Sequence, residues 1–217
     1  FDFEPIQHEG GRLYALLHGG LTNQHLEDWA CAERGRFALV DALRGSPGLY
    51  DWLRLKAALS VDLLREWRAA LTVYGGEGKK LSANAFMPPY TLFTGFDFAG
   101  AARYCDAASP KLYTMHWSAM VEFWGRMLME RNEGLDEKLV ARALAQLFDL
   151  GDDVDAEGLD DYGYPGPDEA HPVPDGCQLR KIRQVRAVAG EGMAVTPLVH
   201  GYGPLDDFMR RYELVVG

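Results

Sequence analysis

Leu53, Ala57, Val61, Leu64, Trp67 and Leu71 recur every three or four residues, with Asp51, Arg54, Asp62, Arg65 and Glu66 between them. A spacing near 3.6 gathers apolar side chains on one face, so the stretch reads as an amphipathic helix over a core, and Gly75-Gly76 stops it. Trp67 falls on that stripe and reads as core. Leu81–Phe86 is a short strand that ends at Met87-Pro88-Pro89, and Phe98 to Cys105 forms a short helix with Asp97 near its start. Pro110 opens a second strand, Lys111 to His116. Ser118 then caps a helix whose inner stripe is Met120, Trp124, Met127 and Leu128. Another helix runs from about Asp136 to Leu150, with Leu139, Ala143, Leu147 and Leu150 on one face. Residues 151–174 are acidic and rich in Gly and Pro, as a long loop over a surface or site would be. Asp175 caps a helix with Leu179, Ile182, Val185 and Val188. Ala194–Val199 is a strand that Pro197 keeps from a central position, and Pro204 starts a last helix through Phe208, Tyr212 and Val215.

The opening, Phe1-Asp2-Phe3-Glu4-Pro5, alternates apolar and acidic residues. Period two predicts a strand with Asp2 and Glu4 on one face, ended by Pro5. His8-Glu9-Gly10-Gly11 follows as a loop, and part of the stretch from Leu26 to Leu43 is helical. Four strands, each followed by helix, imply parallel pairing with right-handed crossovers. Polar residues fall at the carboxyl ends of separate strands: Asp2 and Glu4, Asn84, Tyr113 and His116, His200 and Tyr202. A (β/α)8 barrel carries its active site there but needs eight strands and about 250 residues. The expected fold is therefore α/β, a partial (β/α)8 TIM barrel. Residues 1–217 would form one barrel domain truncated at both ends, with early strands outside the sequence and the last strand open to the same reading.

Composition narrows the function. A net charge of −10 with no basic run argues against nucleic acid and anionic membranes as partners. No stretch approaches the roughly 18 apolar residues of a membrane helix. Cys31, Cys105 and Cys177 are far apart and lack CxxC spacing, so neither a disulfide framework nor a zinc site is expected. No GxGxxG or Walker loop calls for a nucleotide, and no cofactor is expected.

Phe1-Asp2-Phe3-Glu4 resembles the end of the Asp-x-Asp-x-Glu strand of family 18 chitinase-like glycoside hydrolases. The resemblance implies that Glu4 is the general acid and that Asp2 steers the substrate. Leu112-Tyr113 is similar to the Met-x-Tyr element of that superfamily. Asn84-Ala85-Phe86-Met87-Pro88-Pro89, residues 171–175 and residues 200–208 resemble a bacterial group of glycosyl-hydrolase-like barrels. Thr114 follows Tyr113 where the chitinase family has Asp, so the resemblance implies a glycoside hydrolase in the wider sense.

Glycosidic cleavage needs one carboxylic acid to protonate the leaving oxygen and a second negative group at the anomeric carbon. Glu4 is the expected acid and Asp2 its partner. Tyr113, His116, Trp117, His200, Tyr202 and Asn84 are the expected substrate contacts. The aromatic faces of Trp29, Tyr113, Trp117, Tyr202 and the Tyr162-Gly163-Tyr164 loop suit stacking on sugar rings. The expected partners are a carbohydrate and the remainder of the barrel. One alternative is a metal-dependent barrel hydrolase or isomerase in which Glu4, His116 and His200 hold a divalent ion. The other is a non-catalytic carbohydrate-binding barrel.

Overall fold

The computed structural model describes residues 2–31, 33, 44–76, 78–150 and 156–216. Its helices are α1 (Phe3–Ala15), α2 (Asn23–Ala30), α3 (Pro47–Val73), α4 (Tyr90–Thr94), α5 (Phe98–Ala101), α6 (Thr114–Arg131), α7 (Glu137–Leu147), α8 (Asp175–Ala189) and α9 (Leu205–Val216). The strands are β1 (Ser82–Phe86), β2 (Ala107–Leu112), β3 (Ala194–Val195) and β4 (Leu198–Val199). The chain separates into two compact units, one of residues 1–52 and 114–177, the other of residues 53–113 and 178–217. No helix among the described residues is long and apolar enough to cross a membrane. Cys31, Cys105 and Cys177 are free thiols.

In the first unit the opening stretch is a helix, not the strand its alternation suggests. Asp2 is the N-cap of α1, and its Oδ1 accepts from the Glu4 N–H at 3.1 Å. Pro5 lies in the first turn, where a missing N–H leaves no bond unmade. The helix runs on through His8-Glu9-Gly10-Gly11, the expected loop. It ends in a π turn, Leu16–Gly20, in which Gly19 takes a φ of 105°. Of the expected helical stretch to Leu43, α2 is observed and residues 34–43 lie outside the described residues. Of the long acidic loop, residues 151–155 likewise lie outside them, and Leu159–Tyr162 forms a 3-10 turn with Leu159 and Tyr162 buried.

Asn132, at the end of α6, ties the π turn down. Its Oδ1 accepts from Gly19 N–H at 2.8 Å and Leu21 N–H at 3.0 Å, while its Nδ2 donates to Leu17 O at 3.0 Å and Leu128 O at 2.8 Å. α2 packs on α7, and α7 on α6. The inner face of α6 is Met115, Trp117, Ser118, Val121, Gly125 and Leu128, and Trp124 is turned outward. Of the expected stripe, Leu128 is on this face, whereas Met120, Trp124 and Met127 lie to its side, because the face is built on Trp117, Val121 and Gly125. Ser118 sits inside it and bonds Met115 O at 3.3 Å instead of capping. Gly125 leaves room for Leu159, whose Cδ2 stands where a Cβ would intrude. Gly125→Ala is therefore expected to destabilise by about 1–3 kcal/mol through overpacking, which chemical denaturation of the variant checks.

The second unit holds a small parallel sheet in the order β1-β2-β3, with β4 also beside β2. β3 and β4 are two pieces of one lane. Ala107 faces Ala194 and Lys111 faces Leu198, a constant offset along β2. Thr196 N–H donates to Ala108 O at 2.9 Å, and in a parallel ladder the Thr196 carbonyl would then receive the N–H of residue 110. Residue 110 is proline, so the lane breaks there. β2 accordingly spans Ala107–Leu112 and not residues 111–116: Pro110 sits mid-strand, and Thr114, Met115 and His116 already belong to α6. Ala194 and Thr196 turn their N–H groups toward β2, so Pro197 points its nitrogen to the outer edge, where a proline is tolerated. The expected mixed α/β class is present, with parallel pairing.

α3 begins six residues before the first residue of its periodic stripe, Leu53, and turns Leu59, Leu63 and Trp67 outward, so Trp67 is not a core residue of the described structure. Within the sheet, Ala83, Ala85, Ala108 and Leu112 are buried on one face, and Ser82, Asn84 and Phe86 are exposed on the other. At the amino end of β2, Asp106 accepts from Leu81 N–H at 2.7 Å and from Arg68 Nη2 at 2.5 Å, and these donors hold its carboxyl below the usual carboxylate range.

Candidate functional site at the carboxyl edge of the sheet

Successive side chains on a strand alternate between faces, so the register fixes which residues share the open side. Asn84 pairs with Ser109, and Phe86 with Lys111, which pairs in turn with Leu198. The hydroxyls of Ser109 and Thr196 lie 3.0 Å apart on the same side. One step beyond the strands, Tyr113 and His200 continue the alternation, and their rings meet edge to face at 4.9 Å. Parallel sheets are ordinarily covered on both faces. Here one face carries amide, hydroxyl, ammonium, phenol and imidazole groups, and Phe86 on it is 42% exposed.

Two buried cations hold the loops at this edge. Lys181 of α8 is fully buried, donates to Pro88 O at 2.7 Å and lies over the Tyr90 ring at 5.9 Å. It secures the Met87-Pro88-Pro89 turn after β1, in which the Pro88–Pro89 peptide bond is cis. Arg211 of α9 is also fully buried and donates to His200 O at 3.0 Å and Tyr202 O at 2.8 Å. Its Nε bonds Asp207 Oδ2 at 2.8 Å, and Arg210 Nη2 reaches Asp207 Oδ1 at 2.6 Å. The turn is closed further by Tyr202 N–H, which donates to His200 Nδ1 at 3.2 Å. With Nδ1 accepting, the neutral ring keeps its proton on Nε2 and offers a donor. Lys181, Asp207 and Arg211 escaped the sequence reading; only the four-residue spacing of Asp207 and Arg211 hints at a pair on one helix face.

The expected site residues do not all come together. Asn84, Tyr113, His200 and Tyr202 lie in the second unit, at or near this edge. His116 and Trp117 lie in α6 of the first unit: His116 is exposed with its ring centroid 5.8 Å from that of Tyr164, and Trp117 is 2% exposed, its ring turned into the core. Tyr162 is also buried, whereas Tyr164 is exposed.

Asp2 and Glu4 do not stand at a strand end. Asp2 caps α1 and Glu4 lies in its first turn; both are exposed and open on a cleft of about 410 Å³ that His8, Glu9 and Arg12 also line. Arg12 pairs with Glu9 at 3.2 Å. Among the described residues no group of three or more His, Cys, Asp and Glu gathers as metal ligands do. No family model, no curated protein and no solved structure matches this chain.

Proposed function

We propose that this sheet is a sector of a (β/α)8 barrel, that its open face is the barrel's interior, and that the protein acts on a glycan at the carboxyl ends of the strands. The observation that carries the reading is the set of polar and aromatic groups on the open face, ending in the Tyr113–His200 pair at the carboxyl edge. A covered parallel sheet would be apolar on both sides. In a barrel the polar groups of the site come from the carboxyl ends of several strands, and ligands of parallel sheets bind beyond those ends. Tyrosine faces stack on sugar C–H groups, while His200 Nε2 and Asn84 suit hydroxyls.

Glycoside hydrolysis is the second reading, with Glu4 as acid and Asp2 as its partner, favoured by the cleft on which both carboxylates open beside His8.

Binding of an oligosaccharide panel, measured together with reducing-end release, tests both. Tyr113→Ala is expected to weaken glycan binding about tenfold, equivalent to about 1.4 kcal/mol. Absence of binding to any glycan would overturn the first reading. Release that persists in Glu4→Gln would overturn the second.

A further inference from the structure

Lys111 occupies the central strand at its carboxyl half, on the open face, paired in register with Phe86 on one side and Leu198 on the other. Its Nζ lies 5.1 Å from the centre of the Phe86 ring and 6.0 Å from that of Tyr113. These rings attract the ammonium without neutralising it. Among the described residues the Lys111 ammonium makes no salt bridge and no hydrogen bond; two ring contacts hold it. The cations that stake the loops behave otherwise, since Lys181 and Arg211 both spend donors on backbone carbonyls. If packing were the only purpose, methionine or leucine would fill the space between two rings without a charge to solvate. Lys111 is only half-buried, so its ammonium stays open to solvent and to any group that comes to this face.

We propose that Lys111 selects a glycan bearing an anionic group, a carboxylate or a sulfate, and binds that group beside the ring platform of Tyr113 and Phe86. The proposal rests on the glycan reading above and adds the substrate class to it. The rings fix the lysine stem and leave its three N–H donors turned to the open face. His200 Nε2–H, beside the Tyr113 ring, supplies a neutral donor for a neighbouring hydroxyl. A lysine is a point charge without the planar fork of arginine, so it accepts a carboxylate or a sulfate without preference for two-pronged geometry. The net charge of −10 acts against an acidic ligand at long range, but at physiological salt that field fades over about 8 Å, and the contact at Lys111 is short.

The test is direct binding to uronate-bearing, sulfated and neutral oligosaccharides of equal length, with the wild-type protein, Lys111→Met, Lys111→Arg and Tyr113→Ala. Lys111→Met keeps an apolar stem between the rings, and Lys111→Arg keeps the charge. The expected result is an acidic arm bound at least about tenfold more tightly than the neutral one. This preference falls to near one in Lys111→Met, survives in Lys111→Arg and weakens with added salt, and the arm that binds names the group. Equal affinity for acidic and neutral glycans in the wild-type protein, or a preference that survives Lys111→Met, overturns the role of Lys111. In either case loss of binding in Tyr113→Ala would leave the glycan reading standing. Binding to none of the three arms overturns both.

Discussion

Replacing Arg211 with methionine is expected to destabilise the protein by about 3–5 kcal/mol. The guanidinium is fully buried and donates to Asp207, His200 O and Tyr202 O. Removing it strands a carboxylate that is itself 4% exposed, together with two carbonyls. Arg210 remains on Asp207 Oδ1 and limits the loss. Removing both partners at once, in Asp207→Leu with Arg211→Met, is expected to cost less than Arg211→Met alone, because no buried charge is then left over. Chemical denaturation of the two variants gives the comparison. A loss below about 1 kcal/mol for Arg211→Met would show the buried pair to contribute no more than a surface ion pair does. On the proposed function the same substitution is also expected to weaken glycan binding, since the His200–Tyr202 turn loses its anchor.

Asn132→Leu is expected to cost about 2–4 kcal/mol. Its side chain makes four hydrogen bonds from a 3% exposed position, two accepted and two donated. Leucine matches the volume and supplies none of them. Each buried group left unmade costs about 1–3 kcal/mol, and the partly exposed Gly19 N–H recovers some of its loss from water. Amide exchange locates the effect: protection at Leu21, the buried member of the pair, should fall before protection at Leu26 in α2. Unchanged protection at Leu21 would count against this role.

Long periodic segments were legible in the sequence, and short or crowded ones were not. The stripe Leu53 to Leu71 spans several turns, and α3 is there, extended back to Pro47. The opening stretch spans five residues, too few to separate a period of 2 from one of 3.6, and the cap geometry of Asp2 and Pro5 decided it. Gly10-Gly11 suggested a loop, yet α1 passes through both, since mid-helix glycine costs only about 1 kcal/mol each. The inward face of α6 was hidden by Gly125, a core position whose partner Leu159 is supplied from elsewhere in the chain. Of the residues expected at strand ends, Tyr113 directly follows β2 and His200 directly follows β4, Tyr202 lies in the turn beyond, and Asn84 stands in the middle of β1, opposite Ser109. The buried charges behind them were not legible, because a lysine or arginine on a helix looks like a solvated surface residue until its packing is known.

The break opposite Pro110 makes the third lane of the sheet a jointed element. Its first piece, Ala194–Val195, is bonded to the amino half of β2, and its second, Leu198–Val199, to the carboxyl half. Between them the bond from residue 110 to the Thr196 carbonyl is missing, and the Thr196 hydroxyl adds a second donor to Ala108 O at 3.3 Å. Opening of one piece therefore does not unzip the other. The piece that leads to His200 is therefore held from two sides, by its ladder with the carboxyl half of β2 and by Arg211 behind the turn that follows it.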